Sequence, residues 1–270
     1  MTSIVLASGK GGVGKSTISL NLSIILASAG KKVTVVDADV AMANLGLLLG
    51  IERAPITLHN VLKGEHDIFD AVYEGPLNLR YVPSGLSLEV TETNEERMAE
   101  AIKKLEAQND FVIIDCPPGL GIDAMAAMKS AKEMIIIITP EPSSLADALK
   151  VKSIAEKNGV KIRGIVLNMI LGDRTEIKAE DLETVMGAPV LAKMPEDIEV
   201  RRAAALQVPV VIRTPNAPFS KSVRALAARL TGQPVEIEKE HKSFFDSIVS
   251  FFHNLFKPRS PPVQIPMQKK

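Results

Sequence analysis

Residues 9–17 read GKGGVGKST, and they join an apolar segment at residues 3–7 to a segment of helical periodicity at residues 15–29. Two phosphate-binding patterns fit this stretch, the dinucleotide fingerprint G-x-G-x-x-G and the phosphate loop G-x-x-x-x-G-K-[ST]. Only the phosphate loop requires, after its last glycine, a lysine that reaches the β- and γ-phosphates and a hydroxyl that binds Mg²⁺. Lys15 and Ser16 occupy these two positions. The sequence therefore predicts a phosphate loop that binds a nucleoside triphosphate.

Glycines in such a loop allow consecutive backbone N–H groups to turn inward around an anion, and the helix that follows adds a favourable field at its N-terminus. The predicted nucleotide-binding residues of the loop are Gly11, Gly12, Val13, Gly14, Lys15, Ser16 and Thr17.

The metal of a phosphate loop also needs a carboxylate at the end of another buried strand. Residues 111–114 read FVII, and Asp115 follows them. The carboxyl ends of parallel strands form the edge at which such folds bind ligands. We therefore expect Ser16 and Asp115 to be metal ligands, with ATP and Mg²⁺ as the cofactors.

Short apolar runs alternate with helical patterns along the chain. Predicted strands cover residues 3–7, 32–36, 79–82, 111–114, 134–139, 162–169 and 189–192. Predicted helices cover residues 15–29, 94–108, 143–158, 178–186 and 218–230. Several strands consist almost wholly of Val, Ile and Leu, which is typical of strands buried on both faces of a sheet. This order predicts an α/β fold, a doubly wound and mainly parallel sheet with right-handed crossovers.

Composition narrows the class of protein. The chain has 270 residues with 32 basic and 32 acidic side chains, and 46% of its residues are hydrophobic, which is enough for a sizeable core. Cys116 is the one cysteine, so a disulfide within the chain and a multi-cysteine metal site are excluded. No charged leader precedes an apolar stretch, and no apolar run approaches the ~18–20 residues of a spanning helix. We therefore expect a soluble intracellular protein.

Lys10 makes the match of the phosphate loop to one protein family more specific. Phosphate loops of the form K-G-G-x-G-K-[ST] resemble those of the deviant Walker A P-loop NTPases, the MinD/ParA family, and the similarity extends over roughly residues 2–231. This resemblance implies ATP hydrolysis gated by dimerisation, in which Lys10 crosses a face-to-face homodimer to the partner's nucleotide phosphates. It implies Lys10, Lys15 and Asp39 as catalytic residues, and slow turnover without an activator protein.

Two further family motifs are matched at the ends of predicted strands. Asp37 and Asp39 resemble switch I, where the resemblance implies that Asp37 supports the Mg²⁺ site and Asp39 orients the attacking water. Both are assigned to the metal site on this ground. The segment that begins at Asp115 resembles Walker B followed by switch II, in which Pro118 and Gly119 are the switch residues. The resemblance implies that the Gly119 N–H senses the γ-phosphate.

The resemblance also implies three residues for the base of the nucleotide. Asn168 matches the adenine-contacting asparagine of the family, and Pro195 and Asp197 match its later Pro-x-Asp. Ordinary capping or turn chemistry is the alternative for Asn168 and Asp197.

The single cysteine argues against the iron–sulfur branches of the family, so MinD-like and ParA-like branches remain. They differ in the surface they bind, a membrane or DNA. Six cations within 29 residues either form a basic patch for DNA or are solvated charges on helix faces: Arg201, Arg202, Arg213, Lys221, Arg224 and Arg229.

The C-terminal tail favours the membrane. Projected at 100° per residue, residues 243–257 separate into an apolar and a polar face without exception. Residues 239–270 hold six basic and two acidic side chains, a net charge of +4, so residues 1–238 carry −4. A cationic amphipathic tail on an anionic body favours an anionic membrane surface, with a partner helix or packing on the body as alternatives. The predicted membrane-contacting residues are Phe244, Phe245, Ile248, Phe251, Phe252, Leu255 and Phe256.

Together these patterns predict an ATPase domain at residues 1–232, a linker at 233–242, a membrane-targeting helix at 243–257 and a disordered proline-rich end at 258–270. The resemblance implies a MinD-like ATPase that forms an ATP-dependent homodimer, moves from the cytoplasm to the inner face of the cell membrane, and positions the cell-division site. A ParA-like ATPase that partitions chromosomes on nucleic acid is one alternative. A MinD relative that positions flagella or chemosensory arrays is the other.

Overall fold

An eight-stranded sheet with helices on both faces forms the described part of the chain. The computed structural model describes residues 1–39, 44–51, 54–85 and 94–235. The strands are β1 (Thr2–Ala7), β2 (Val33–Asp37), β3 (Tyr73–Glu74), β4 (Arg80–Val82), β5 (Phe111–Asp115), β6 (Glu133–Ile138), β7 (Lys161–Ile170) and β8 (Val190–Pro195). The α-helices are α1 (Lys15–Ser28), α2 (Asn44–Leu49), α3 (Leu58–Lys63), α4 (Glu95–Glu106), α5 (Ile122–Ser130), α6 (Pro142–Lys157), α7 (Ala179–Met186), α8 (Ile198–Ala205), α9 (Val210–Arg213) and α10 (Pro218–Thr231).

The strand order is β3-β4-β2-β5-β1-β6-β7-β8. Each neighbouring pair is parallel except β3 and β4, which are antiparallel at one edge. The predicted doubly wound and mainly parallel sheet is therefore confirmed.

The register of the central strands brings the predicted site residues to one edge. Asp115 at the end of β5 is opposite Leu6 of β1 on one side and Asp37 of β2 on the other. The loop that leaves β1 therefore begins beside two carboxylates, at the carboxyl edge of the sheet.

Helix α1 lies beneath this edge and is almost entirely enclosed. Twelve of its 14 residues are buried, and it contacts β2, β5 and α10. A helix that is apolar around most of its circumference must be covered on several sides, and the sheet and α10 provide that cover. The phosphate loop thus connects two of the most buried elements of the molecule.

The prediction from sequence found the long elements and missed the short ones. The seven predicted strands correspond to all of the described strands except β3, which has two residues at the sheet edge. The five predicted helices correspond to α1, α4, α6, α7 and α10, whereas α2, α3, α5, α8 and α9 were not predicted. Four of these have between four and eight residues, which leaves about one or two helical turns in which to recognise a period. Helix α7, also of eight residues, was predicted from its more distinct apolar face. Helix α5 is dominated by Ala and Met and has only a weak polar face.

The predicted membrane-targeting helix at 243–257 lies outside the described residues, as do most of the predicted linker and the proline-rich end. Within the described ranges, the helices are all too short or too polar to traverse a bilayer.

Candidate nucleotide-binding site

The phosphate loop ends on a helix N-terminus that is open to an anion. Gly14 is the N-cap of α1 with φ 89° and ψ 18°, and no side chain caps the first turn. The first turn also has no acidic residue. Because the first N–H groups of a helix have no partner within it, they are available to phosphate oxygens, and the helix dipole favours the negative charge.

Asn168, near the end of β7, contacts this loop from behind. Its Nδ2 donates to the Val13 carbonyl oxygen at 2.8 Å, and the side chain is buried. A Cβ atom at position 14 would lie 2.4 Å from Asn168 Nδ2, and the left-handed φ already favours glycine there. Asn168 therefore braces the loop in this structure, and its contact with adenine stays a prediction.

The two lysines of the loop have different surroundings. Lys15 is 7% exposed, and its positive charge favours ionisation of Asp115, which lowers the pKa of that carboxyl. Lys10 lies at the rim, where its Nζ is 2.7 Å from Glu141 Oε2 and 3.5 Å from Ser143 Oγ. The Lys10 and Glu141 side chains are 35% and 58% exposed. Lys15 is thus buried, whereas Lys10 is partly exposed and paired with Glu141.

Asp115 is a buried carboxylate at the end of β5. It is 1% exposed, its Oδ1 accepts a hydrogen bond of 3.0 Å from Ser19 Oγ, and its Oδ2 has no hydrogen bond of standard geometry. Burial raises the pKa of Asp115 to about 6, while the Ser16 hydroxyl, the Lys15 ammonium and the Ser19 hydroxyl act in the opposite direction.

Asp37 organises the start of the switch I segment. Its Oδ1 accepts from the Asp39 N–H and its Oδ2 from the Leu45 N–H, each at 3.1 Å. The side chain is fully buried, and burial followed by the charge of Asp115 raises its pKa well above the usual value. Both oxygens of Asp37 therefore accept from backbone N–H groups. Oδ1 holds Asp39, which is 7% exposed, and Oδ2 holds the start of α2 at Leu45.

The donor set fits a magnesium ion. Two buried carboxylates stand side by side on β2 and β5, and one oxygen of Asp115 is buried without a hydrogen bond. Within the described ranges, His, Cys, Asp and Glu side chains do not gather in threes as a closed metal cage. Mg²⁺ typically takes one or two carboxylates and completes its shell with phosphates and water, so an open set suits it. Asp115 and Ser16 are the residues that would hold the ion.

The segment predicted to be switch II lies against the start of the phosphate loop. Gly119 has φ 81°, and its N–H donates to the Ser8 carbonyl oxygen at 3.1 Å. Pro118 lies near Gly11: a Cβ atom at position 11 would be 3.9 Å from the Pro118 Cβ, an ordinary van der Waals distance. The predicted γ-phosphate sensor therefore has a backbone partner in this structure, and its sensing role stays a prediction.

Asp197 caps a helix. Its Oδ1 accepts from the Glu199 N–H at 2.9 Å, which caps α8, and its Oδ2 accepts from the Phe219 N–H at 3.1 Å, which fixes the start of α10. Pro195 ends β8 opposite Ile170 of β7. The structure thus shows for Asp197 the capping chemistry that the sequence left open, and the adenine contacts of Pro195 and Asp197 stay predictions.

Ser19 and Glu141 were not found by sequence reasoning. Ser19 is three residues after Ser16, a spacing that places both hydroxyls on one helix face toward β5. Glu141 follows the end of β6 at the same sheet edge as the loop. These two positions could have been noted in the sequence, from the helix face of Ser19 and from the strand end before Glu141. Neither a serine in a helix nor a glutamate before a proline belongs to a motif that would have singled it out.

Comparison with known proteins identifies the family. A family model for an AAA domain matches residues 1–158, and a ParA-type model described as NUBPL iron-transfer P-loop NTPase matches residues 96–231. A Methanocaldococcus jannaschii protein described as an uncharacterized ATP-binding protein is 42% identical over 95% of this chain and 97% of its own length. The septum site-determining protein MinD of Synechocystis is 32% identical over 86% of this chain and 90% of its own.

Solved structures give the same result. MinD of Pyrococcus horikoshii, described as complexed with Mg-ADP, superposes with a TM-score of 0.80 at 38% identity, covering 85% of this chain and 95% of the other. The cell division ATPase MinD of Pyrococcus furiosus superposes with a TM-score of 0.81 at 39% identity, covering 86% of this chain and 99% of the other. With a phosphate loop, a Walker B aspartate and this sheet in place, the chain belongs to the MinD/ParA family of P-loop ATPases, with the fold of its MinD members.

Proposed function

We propose that this protein hydrolyses ATP with Mg²⁺, forms a homodimer when ATP is bound, binds the inner face of the cell membrane reversibly as that dimer, and positions the cell-division site. The observation that carries the proposal is the contrast between the two lysines. Lys15 is buried and favours ionisation of Asp115, whereas Lys10 of the same loop is partly exposed and pairs with Glu141. We propose that a second subunit approaches the loop on the side of Lys10.

Each residue has a role that phosphoryl transfer requires. Catalysis of this reaction is mainly positioning and charge stabilisation, so a cation supplied by a second subunit can switch it on. Lys15 and the loop N–H groups bind the phosphates, and Asp39, held by Asp37, orients water. Lys10 contacts the partner's phosphates after it leaves Glu141. Mg²⁺, held by Ser16 and Asp115, supplies further charge neutralisation.

The tail supplies the membrane contact in this proposal. An isolated helix of 15 residues is marginal in water, so its apolar face gains order from the surface on which it docks. One such helix binds weakly, but two helices in a dimer bind far more strongly through effective concentration. Dimerisation on ATP thus controls membrane affinity, and hydrolysis releases the protein.

Light scattering coupled to size exclusion tests the dimer. We expect a monomer with ADP and a dimer with ATP. In an assay of ATP hydrolysis, we expect slow turnover in the unmodified chain and no turnover in Lys15→Ala. Lys10→Ala is expected to bind ATP yet stay monomeric, because it retains the loop and Lys15. Lys150→Ala, at an exposed lysine of α6 paired with Asp147, is the matched control and should dimerise normally. A Lys10→Ala protein that dimerises with ATP would refute the role of Lys10.

A ParA-like DNA-binding ATPase is the second candidate, and contacts of the basic residues weigh against it. Arg202 and Arg213 both pair with Glu199. Arg224 and Arg229 donate to backbone carbonyl oxygens of Pro215 and Val190. Four of the six cations therefore have partners within their own chain. ATP-dependent, salt-sensitive retention on DNA that survives deletion of residues 240–270 would favour this second candidate.

Partner proteins determine which cellular structure is positioned and how hydrolysis is activated. An Aquifex aeolicus relative, 25% identical and with a TM-score of 0.76, was solved as a MinC:MinD cell division protein complex. We propose a comparable partner here. Partner pull-down with the ATP-bound dimer, and imaging of a tagged chain, would separate the division site from flagella or chemosensory arrays.

A further inference from the structure

Ser19 contacts the Walker B carboxylate from the first helix. Its Oγ donates to Asp115 Oδ1 at 3.0 Å, and both side chains are at most 1% exposed. The hydroxyl is therefore shielded from water, and its hydrogen bond to a carboxylate is of the stronger, charge-assisted kind. No phosphate-loop pattern includes this position, which is three residues beyond Ser16.

The contact divides the two oxygens of Asp115 between two tasks. Oδ1 is tied to Ser19, whereas Oδ2 is buried and has no hydrogen bond of standard geometry. A carboxylate fixed through one oxygen cannot rotate freely, so the other oxygen keeps one direction. The Ser16 hydroxyl and the Lys15 ammonium also act on this carboxylate. Without Ser19, nothing holds Oδ1 against their pull, and the carboxylate can turn away from the direction that the Ser19 contact gives it.

We propose that Ser19 is a positioning residue that sets the orientation of Asp115 and thereby couples Mg²⁺ binding to nucleotide binding. This rests on the proposed role of Asp115 as a metal ligand. Ser19 itself touches neither metal nor nucleotide in this proposal. Its contribution is to keep Oδ2 available to a cation.

The same helix provides a matched control. Ser23 is one turn beyond Ser19, is equally buried, and its Oγ donates to the Ser19 carbonyl oxygen at 2.7 Å instead of to Asp115. Ser23→Ala therefore removes the same atom from the same helix without touching the carboxylate. Ser19→Cys keeps nearly the same volume with a weak donor, and it replaces Ser19→Ala if the alanine variant does not fold.

Calorimetric titration of the full chain with ADP is done once in excess Mg²⁺ and once in EDTA. The affinity for ADP in Mg²⁺ divided by the affinity in EDTA measures the coupling. We expect Ser19→Ala to lower this ratio about tenfold, the effect of losing a hydrogen bond to a charged group, with affinity in EDTA unchanged. Ser23→Ala should keep the ratio of the unmodified chain, and Asp115→Asn should abolish the Mg²⁺ effect.

The three variants separate the inference from the function beneath it. A Ser19→Ala ratio equal to that of the unmodified chain, alongside loss in Asp115→Asn, would overturn the positioning role alone. An undiminished ratio in Asp115→Asn would overturn the metal role of Asp115, and the inference with it. Equal reductions in Ser19→Ala and Ser23→Ala would also overturn the positioning role, because the effect would then belong to helix packing.

Discussion

Burial favours the protonated form of Asp115 and Asp37, whereas a metal site requires the ionised form. Burial raises the pKa of Asp115 to about 6 and that of Asp37 well above its usual value, and each is made harder to ionise by a neighbouring aspartate. A cation bound at Asp115 would relieve this repulsion. The nucleotide-free site is therefore strained electrostatically at neutral pH, which is a reason for Mg²⁺ and nucleotide to bind together.

Asp115→Asn is predicted to stabilise the nucleotide-free protein above pH 6. The folded-state pKa is raised, so the folded chain holds the proton more tightly, and this stability is lost as pH rises from about 4 to about 6. The variant has no such proton to lose. Urea unfolding in EDTA at pH 7.5 should give a free energy of unfolding about 1–3 kcal/mol higher than that of the unmodified chain.

The control is Asp181→Asn, at an exposed aspartate in the first turn of α7, which should change the free energy of unfolding by no more than ~0.5 kcal/mol. With Mg-ADP present, the sign for Asp115→Asn should reverse, because the variant has lost the proposed ligand. An Asp115→Asn protein with the unmodified pH dependence in EDTA would contradict this electrostatic account.

At the residue scale, motif positions were predictable and their hydrogen-bond partners were not. Lys15, Ser16 and Asp115 follow from a local pattern whose chemistry requires those residue types. Ser19 and Glu141 act through contacts 96 and 131 residues away in sequence, with Asp115 and Lys10. Such contacts depend on the strand register, which the local pattern does not contain.

At the scale of elements, Asp197 joins three segments of the chain. It follows β8 directly, caps α8 and accepts the N–H of Phe219 at the start of α10. Phe219 is 2% exposed, so its N–H has little access to water as a substitute partner. One carboxylate thus aligns two helices with the end of a strand.

Asp197→Ala is predicted to lower the free energy of unfolding by about 1–3 kcal/mol, from the lost cap and the unpaired Phe219 N–H. Asn94→Ala is the matched comparison, because Asn94 caps α4 through a single bond to the Arg97 N–H and should cost about 1 kcal/mol. Urea unfolding in EDTA measures both. If Asp197→Ala weakens ADP binding but leaves the unfolding midpoint unchanged, the aligning role is wrong and the adenine contact alone remains.

Long elements with a clear period were predictable, and elements defined by tertiary contacts were not. The β5 and β6 strands are continuous apolar runs, and α4 has a distinct apolar face, so each has a strong local pattern. Helix α2 has six residues and depends on the Asp37 contact with the Leu45 N–H. The two-residue strand β3 exists because β4 is beside it. Local sequence does not encode either circumstance.

At the scale of the whole molecule, charge and phenylalanine content differ between residues 1–238 and the C-terminal tail at residues 239–270. The zero net charge is a cancellation between −4 in residues 1–238 and +4 in residues 239–270. Five of the eight phenylalanines lie in the tail. This division is what a membrane switch needs, because the anionic body is repelled by anionic lipid unless the tails hold it there.

Co-sedimentation of the full chain with anionic phospholipid vesicles tests the central claim most directly. The account predicts sedimentation with ATP and little with ADP, and loss of ATP-dependent sedimentation both in Lys10→Ala and in a chain without residues 240–270. Equal sedimentation with ATP and ADP would contradict the switch, and undiminished sedimentation without the tail would contradict the anchor.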